Sequence, residues 1–208
     1  MAKILSATRS AALSLLVLGA GMIGPAQAED APDAATTVID TLDHALLDVM
    51  KNAVKLGYQG RYDTLKPVLL RSYDLPRMTQ LVVGSAWTGW SEDDRGRVTD
   101  AFTRFVIATY ARRFDGYSGE NFVIDGERPS PNGAIVLTHL TRPKDPSVTI
   151  NYLMREKGDA GPQVIDVYLT GTISQLAQFR SEFSAILARE EINGLIAELE
   201  KKAENQAK

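Results

Sequence analysis

The spacing of apolar residues changes near Asn121, and this change constrains the fold more than any other feature of the 208-residue sequence. Four segments after it have the composition of β-strands: 122–128, 134–141, 147–155 and 163–170. The turn-rich stretches PSPNG, RPKDP and EKGDAGP separate them. Connections this short join antiparallel neighbours, so the sequence predicts an antiparallel four-stranded sheet.

Side chains alternate in character along the last two of these segments. In the third segment, Leu153 is an apolar exception on an otherwise polar face. The apolar face carries Val148, Ile150, Tyr152 and Met154. The fourth segment places on one face Ile165, Val167 and Leu169, and on the other Val164, Asp166 and Tyr168. Such alternation predicts a sheet with one apolar face that other elements cover.

Helical spacing dominates on both sides of this sheet. The first apolar stripe comprises Ile39, Leu42, Leu46, Val49, Met50, Ala53 and Val54. Shorter helices are predicted over 62–70 and 75–83, and a long helix opens at Ser91, where SEDD resembles a capping box. Two more helices are predicted after the sheet, one following Gly171 and one over 192–199. The sequence therefore predicts an α+β fold in which helices cover one face of a curved antiparallel sheet.

The N-terminal residues have the pattern of a secretory signal peptide. Lys3 and Arg9 precede a short apolar run (11–23), and the small residues of AQA end at Ala28, as at a signal-peptidase site. We expect export and cleavage after Ala28; an uncleaved anchor is the alternative. The predicted organisation is a signal peptide over 1–28, a flexible lead-in over 29–37, one domain over 38–202 and a frayed tail over 203–208.

The composition argues against several classes of function. The chain has no cysteine, which removes disulfides, thiol catalysis and thiolate metal sites together. His44 and His139 are its two histidines, and no H-E-x-x-H motif or similar spacing joins them to carboxylates. The net charge is −3 and basic residues do not cluster, so no nucleic-acid partner is predicted. We therefore expect no metal and no cofactor.

The stretch VYLTGTISQLAQFRSEFSAIL (167–187) passes from a strand through one glycine into a helix, as many phosphate-binding loops do. It lacks the additional glycines of G-x-G-x-x-G, the lysine of a P-loop and the G-x-S-x-G motif of a nucleophile elbow. Thr172 and Ser174 are better explained as capping or solvent-exposed residues near the N-terminus of the helix. The stretch therefore predicts no phosphate site.

A catalytic alternative remains open. Asp166, His139 and Tyr152 lie on neighbouring predicted strands and would form an acid–base site if all three faced the inside of a cone-shaped sheet. Exposure to water explains each of them as well, because each lies on an alternating strand. This interpretation would describe an exported NTF2-like enzyme that acts on a small hydrophobic substrate.

Apolar side chains, in contrast, are abundant in the segments that would face each other across the two layers. A helix-covered curved sheet can leave an internal slot, which suits a lipid. Transfer of a chain of about 16 carbons from water gains about 0.8 kcal/mol per CH₂, on the order of 10 kcal/mol in total. A carrier of this kind needs to cover lipid tails and needs no catalytic array.

Residues 73–124 contain a series of motifs that resembles a known family. An aspartate precedes an Arg-Met helix, Gly84 and Trp87 follow, a helix opens with Ser-x-x-x-Arg, and F-x-x-F, TYA and YSGE come after it. The ending INGLIAELEKK is similar as well. In their order and spacing these motifs resemble the MlaC family of periplasmic phospholipid-binding proteins, also called toluene-tolerance auxiliary proteins.

This resemblance implies a fold related to the NTF2-like cone, a lipid pocket and a periplasmic location, without enzymatic activity. It implies a role in outer-membrane lipid asymmetry, with transport between an inner-membrane ABC transporter of the MCE type and an outer-membrane lipoprotein complex or an RND-type exporter. The passage TGTISQLAQFRSEF departs from the usual family form and looks more like the hopanoid-associated (HpnM-like) branch. The implied cargo is therefore a phospholipid or a hopanoid.

Candidate lipid-binding residues come from the long helix, from one face of the sheet and from the helix after it. They are Phe102, Phe105, Val106, Tyr110, Ile150, Tyr152, Val167, Leu169 and Ile173. If the register of a strand differed by one residue, the candidate residues on that strand would lie on the opposite face of the sheet. The sequence therefore leaves open which face of the sheet lines the pocket.

Overall fold

Helices and strands follow each other along the chain in the order that the change of spacing near Asn121 predicts. The structure is a computed structural model that describes residues 33–131 and 133–207. The predicted signal peptide (1–28) lies outside these residues. Among the described residues, four α-helices precede an antiparallel sheet and a fifth follows it. The fold is therefore α+β, as predicted.

The helix predicted over 75–83 has the expected bounds, but other helices begin or end elsewhere than the sequence patterns indicate. The helices are α1 (Ala34–Lys51), α2 (Ala53–Ser72), α3 (Leu75–Val83), α4 (Glu92–Arg113) and α5 (Gln175–Gln206). α1 begins inside the predicted lead-in, and α5 extends through most of the tail that was expected to fray. Gly57 (φ 60°) interrupts α2, and Glu191 (φ 55°) interrupts α5 close to the boundary predicted between the last two helices. Because α1 ends at Lys51, Val54 leaves the apolar stripe and is exposed.

Side-chain caps set the starts of three helices. Asp74 accepts a hydrogen bond from the Arg77 amide at the start of α3. Ser91 Oγ accepts one from the Asp94 amide (3.1 Å), which confirms the cap predicted for α4. At the start of α5, Ser174 Oγ accepts one from the Ala177 amide (2.9 Å), so Ser174 is a capping residue. None of the described helices is both long enough and apolar enough to cross a membrane.

The sheet has five strands among the described residues, so the prediction of four is wrong. The strands are β1 (Asn121–Ser130), β2 (Gly133–Thr141), β3 (Val148–Glu156), β4 (Pro162–Leu169) and β5 (Ile173–Ser174), each antiparallel to the next. β5 exists because Thr170 (φ 50°) and Gly171 (φ 82°) reverse the chain and pair Ile173 with Leu169. A strand of two residues is too short to show alternation in the sequence.

A bulge in β4 corrects the predicted faces of that strand. Leu153 pairs with Asp166 but Met154 pairs with Val164, so Ile165 is an extra residue on β4. Val164 therefore joins Val167 in the core beneath the helices, while Ile165 turns to the opposite face. There it packs with Leu153, whose apolar character had been an exception to the alternation.

The helices cover one face of the sheet, where the main core lies. Residues of all five helices and of β1 to β4 contribute to that core. Its densest aromatic part joins α4 to α5 through Phe102, Phe105, Phe179 and Phe183, whose ring centroids lie 5.4 to 6.5 Å apart. Most of these pairs have the edge-to-face geometry that aromatic rings prefer.

Arg61 attaches α2 to the end of α4. It is 8% exposed, and its Nε donates to the Ala111 carbonyl (2.8 Å) while Nη1 donates to the Ala53 carbonyl (3.2 Å). The last carbonyls of a helix have no partner within the helix, so the guanidinium satisfies one that would otherwise be buried and unpaired.

We expect Arg61→Met to lower the free energy of unfolding by about 2 kcal/mol, because it removes charge-assisted hydrogen bonds and leaves the Ala111 carbonyl unpaired. Urea unfolding measures the change. Arg112→Met is the matched control, since Arg112 pairs with Asp115 at 53% and 45% side-chain exposure; it should change stability by less than about 0.5 kcal/mol. Equal losses in the two variants would contradict the anchoring role of Arg61.

Candidate functional site

A cavity of about 260 Å³ lies between the helix layer and the sheet. Strands β3 and β4 form one wall, and α4 and the start of α5 form the other, with the segment around α3 at one end. Its lining is mostly apolar and comprises Tyr73, Met78, Val106, Thr109, Tyr110, Arg113, Phe114, Val148, Ile150, Tyr152, Val167, Leu169, Gln175 and Phe179. This arrangement is typical of sites for apolar ligands.

The cavity has a mouth and an inner end, which the exposure of its lining residues distinguishes. Along β3 the lining side chains run from half-buried Val148 to Tyr152, which is 1% exposed. Along α4 they run from exposed Arg113 back to buried Val106. Both walls therefore become more buried in the same direction, away from Val148 and Arg113.

Two tyrosine hydroxyls on the lining bond to each other. The Tyr73 and Tyr110 hydroxyls form a hydrogen bond, and their rings meet edge to face at 5.8 Å. The Tyr152 hydroxyl makes no hydrogen bond within the part of the chain that the structure describes. Burial raises the pKa of all three phenols, so they remain neutral hydrogen-bonding groups.

Tyr73 reaches the cavity because the chain after α2 docks on the sheet. Tyr73 forms an isolated parallel bridge with Val164, and the Asp74 amide donates to the Val164 carbonyl (3.0 Å). Asp74 is held on its other side by Lys157 Nζ, 2.9 Å from its carboxylate. The position of Tyr73 therefore depends on a contact between residues that are far apart in the sequence.

Asp43 is a buried carboxyl group close to the three tyrosines. It lies on α1, is 4% exposed, and neither of its oxygens has a hydrogen-bond partner in the described part of the chain. Its pKa is raised to about 7, mainly by burial and to a lesser extent by the negative charge of Asp40, while His44 opposes the shift. The charge of Asp43 in turn raises the pKa of Tyr73, Tyr110 and Tyr152.

Arg113 is a cation at the mouth with no ion pair or hydrogen bond among the described residues. Its neighbour Arg112 pairs with Asp115 at 2.7 Å, so the two consecutive arginines differ in this respect. The Arg113 guanidinium is near enough to Tyr110 to lower the pKa of that phenol against the larger effect of burial.

Six of the nine predicted lipid-binding residues line this cavity, and three do not. Those on the lining are Val106, Tyr110, Ile150, Tyr152, Val167 and Leu169. Phe102 and Phe105 are instead buried in the aromatic cluster between α4 and α5. Ile173 is 44% exposed on β5, because the turn at Gly171 directs it away from the helix stripe.

Eight lining residues and the buried carboxyl behind them were not predicted from the sequence patterns. The lining residues are Tyr73, Met78, Thr109, Arg113, Phe114, Val148, Gln175 and Phe179. For Asp43 a signal was present, since it follows Ile39 by four residues and precedes Leu46 by three. A carboxylate on that apolar stripe predicts a buried acid.

The structure does not bring the proposed acid–base trio together. Tyr152 lines the cavity, whereas Asp166 lies on the opposite side of the sheet with Leu153 and Ile165. The Asp166 carboxylate accepts hydrogen bonds from Ser174 Oγ (2.5 Å) and the Leu176 amide (3.0 Å), which ties it to the start of α5. His139 pairs with Asp125 at 2.8 Å. The described residues contain no group of three or more histidine, aspartate or glutamate side chains that could hold a metal ion.

The fold and the cavity define a class of protein, in which helices and an antiparallel sheet enclose an apolar binding site. A sequence model of the family described as MlaC protein matches residues 40–201, which is most of the chain. The chain therefore belongs to the MlaC family.

A solved structure shows the same fold. The phospholipid-binding protein from Ralstonia solanacearum, determined in complex with a phospholipid at 1.53 Å resolution, matches with a TM-score of 0.72 and 18% sequence identity. The match covers 84% of this chain and 99% of that chain. A comparison with curated proteins gives no match.

We expect the raised pKa of Asp43 to make stability depend on pH. The carboxyl titrates near 3.8 when unperturbed and near 7 in the folded protein, so the folded state retains the proton that the unfolded state loses. The free energy of unfolding should therefore fall as the pH rises from about 4 to about 7, by on the order of 4 kcal/mol.

Asp43→Asn removes this loss, so the variant should gain stability over the parent protein as the pH rises. Urea unfolding of the lipid-free proteins at pH values of about 5 and 8 measures the gain. Asp63→Asn replaces an exposed carboxylate of α2 and should shift stability by the same small amount at both pH values. A gain for Asp43→Asn that does not vary with pH would contradict the assignment.

Proposed function

We propose that this protein is a lipid carrier that covers the apolar part of a phospholipid or hopanoid in the cavity between its helices and sheet. The observation that supports this most directly is the cavity itself, which is apolar along both walls and open at one end. Membership of the MlaC family and the phospholipid bound to the Ralstonia protein of the same fold agree with it.

The dimensions of the cavity suggest how a lipid is accommodated. A cavity of about 150 Å³ holds one benzene molecule, so the volume of about 260 Å³ takes on the order of ten carbon atoms. Each buried CH₂ gains about 0.8 kcal/mol. A complete lipid tail is larger, so its entry separates the two layers. Burial of the tail's own apolar surface then offsets the packing between helices and sheet that this separation disrupts.

The polar end of the lipid would lie at the mouth. Arg113 is the charged residue on the lining, and its guanidinium can donate two parallel hydrogen bonds to a phosphate or carboxylate. Gln175, at the start of α5, adds an uncharged hydrogen-bonding group to the same lining. The tails would then run along β3 and β4 toward Tyr152.

The finer parts of the proposal follow from the resemblance of particular motifs. TGTISQLAQFRSEF favours the hopanoid-associated branch of the family, and the N-terminal pattern favours export to the periplasm with cleavage after Ala28. The partners would be an inner-membrane ABC transporter of the MCE type and an outer-membrane lipoprotein complex or an RND-type exporter. Loading and release would therefore occur at two membranes.

We expect Ile150→Trp to abolish lipid binding, because the larger side chain fills the middle of the cavity. Thr149→Trp is the matched control: Thr149 is the preceding residue, is exposed and points to the opposite face of β3. Native mass spectrometry and organic extraction of the purified proteins measure bound lipid. A reproducibly lipid-free parent protein, or equal lipid content in the two variants, would overturn the proposal.

The same extracts identify the cargo. Extracts from a hopanoid-producing host that contain a stoichiometric hopanoid would support the hopanoid branch. Extracts that contain phospholipid alone would argue against that branch and leave the lipid carrier intact.

Export has its own test. We expect the mature protein to begin at Glu29 when it is isolated from the periplasmic fraction of a Gram-negative host, and intact-mass measurement determines that terminus. Ala28→Phe should block cleavage, since signal peptidase requires a small residue at this position. A full-length chain in the cytoplasmic fraction would contradict the predicted location.

A further inference from the structure

Apolar side chains that are exposed to solvent gather around the mouth of the cavity. Four large apolar side chains are exposed among the described residues, and three of them lie at this end: Val54 (98% exposed), Tyr117 (44%) and Ile173 (44%). The fourth, Leu70, lies near the end of α2. Single exposed apolar residues are common on protein surfaces, but their concentration around one opening requires an explanation.

Two contacts bring the junction between α1 and α2 to the helix wall of the mouth. The Arg61 guanidinium bonds to the carbonyls of both Ala53 and Ala111, so the start of α2 lies against the last turn of α4. Lys51 Nζ lies 5.6 Å from the centre of the Tyr117 ring, which joins the end of α1 to the segment after α4. The exposed valine at the junction and the exposed tyrosine therefore lie beside the last lining residues of this wall.

The sheet side of the mouth carries the third exposed apolar side chain. Ile173 pairs with Leu169, a half-buried lining residue, and directly paired residues of antiparallel strands share a face. The loop between β2 and β3 (142–147) leads to Val148 of the lining, and its Pro143 lies against Gly119. One surface thus surrounds the opening. This mouth surface comprises residues 51–55, 112–120, 142–148 and 170–173.

The mouth surface is basic, although the chain as a whole is acidic. Its residues include six lysines and arginines but three aspartates and glutamates, whereas the whole chain has a net charge of −3. One of the three acids, Asp115, is paired with Arg112. Lys51, Lys55 and Arg113 have no ion pair among the described residues. Charge complementarity therefore favours an anionic partner at this end of the molecule.

We propose that the mouth surface docks on an anionic lipid bilayer and presents the opening of the cavity to it. This inference rests on the proposed lipid-carrier function and specifies how the cargo enters, which is directly from the membrane surface. The basic side chains would contact lipid phosphates. Val54 and Ile173 would enter the interface, and the Tyr117 ring, apolar with one polar end, suits the level of the headgroups.

A bilayer fits this surface better than an acidic protein does. Val54 is 98% exposed, so it projects from the corner between α1 and α2 without packing against its neighbours. A protein partner would need a matching pocket for such a side chain, because the cores of protein interfaces are packed as densely as protein interiors. A bilayer needs no matching shape. The lysines at 51 and 55 can bury their methylene groups there and keep their ammonium groups among the phosphates.

Flotation with lipid vesicles tests this surface. The probe protein is a lipid-free chain that begins at Glu29, which contains the whole described core and lacks the apolar run of residues 11–23. It should bind phosphatidylcholine vesicles that contain about 30% phosphatidylglycerol, and bind pure phosphatidylcholine vesicles at least about tenfold more weakly, because each basic residue near an anionic surface strengthens binding about fivefold. Binding to the anionic vesicles should weaken as the salt concentration rises.

Matched pairs of exposed residues on α2 separate the mouth surface from the rest of the protein. α2 runs from the junction to Tyr73, which docks on the strand at the inner end of the cavity, so the later residues of α2 lie away from the mouth. Lys55→Glu should weaken binding to the anionic vesicles about tenfold, whereas Lys66→Glu, with the same change in net charge, should weaken it less than about threefold. Val54→Ser should weaken binding about fivefold, and Leu70→Ser should leave it unchanged.

Lipid content, measured by native mass spectrometry after incubation with the vesicles, distinguishes the surface from the function on which it rests. If the protein binds neither kind of vesicle but retains lipid from its host, membrane docking is wrong, an acidic protein partner becomes the better explanation of the surface, and the carrier proposal stands. If both members of each matched pair weaken binding equally, the contact lies elsewhere and the assignment fails. If the protein binds anionic vesicles as expected but never acquires lipid, the surface stands and the carrier proposal fails.

Discussion

The pairing of β3 with β4 is the constraint on which the cavity depends. It sets Ile150 beside Leu169 and Tyr152 beside Val167, so that four side chains from two strands form one continuous wall. Beyond this wall the bulge at Ile165 changes the face of the strand, and Val164 takes its place in the core. Without that change the Val164 side chain would face away from the core. The Val164 carbonyl, which accepts a hydrogen bond from the Asp74 amide, would then have a different orientation.

The opposite wall is positioned by contacts that lie mostly outside the cavity, although Phe179 both lines the cavity and belongs to the aromatic cluster. The aromatic cluster around Phe102 joins α4 to α5, and Arg61 fixes the end of α4 from α2. These contacts hold the lining residues of α4 at a distance from β3 that leaves a slot between them. Close packing elsewhere is therefore what preserves an apolar space here, because a void persists only where its surroundings cannot collapse into it.

Alternation along β3 and β4 and the helical stripe of α4 were sufficient to predict the layers and six lining residues. The same stripe could not separate Val106 and Tyr110 from Phe102 and Phe105, because one helix face serves both the cavity and the contact with α5. Tyr73 could not be predicted from local spacing, since its position comes from the long-range bridge to Val164. The branch of the family and the predicted partners remain predictions, because they depend on motifs and not on the geometry of the fold.

Asp43 makes the stability of the protein depend on the protonation of a buried carboxyl. A carboxyl that is buried without a hydrogen-bond partner costs free energy in the folded state, and the cost is larger when the carboxyl is ionised. A ligand that binds only the folded state stabilises it by an amount that grows with the logarithm of the ligand concentration relative to Kd. The hydroxyl groups of Tyr73, Tyr110 and Tyr152 make part of the cavity lining polar, and buried polar groups discriminate between ligands more strongly than apolar walls can. An added or missing methylene changes apolar binding little, whereas a missing hydroxyl leaves buried polar groups unpaired.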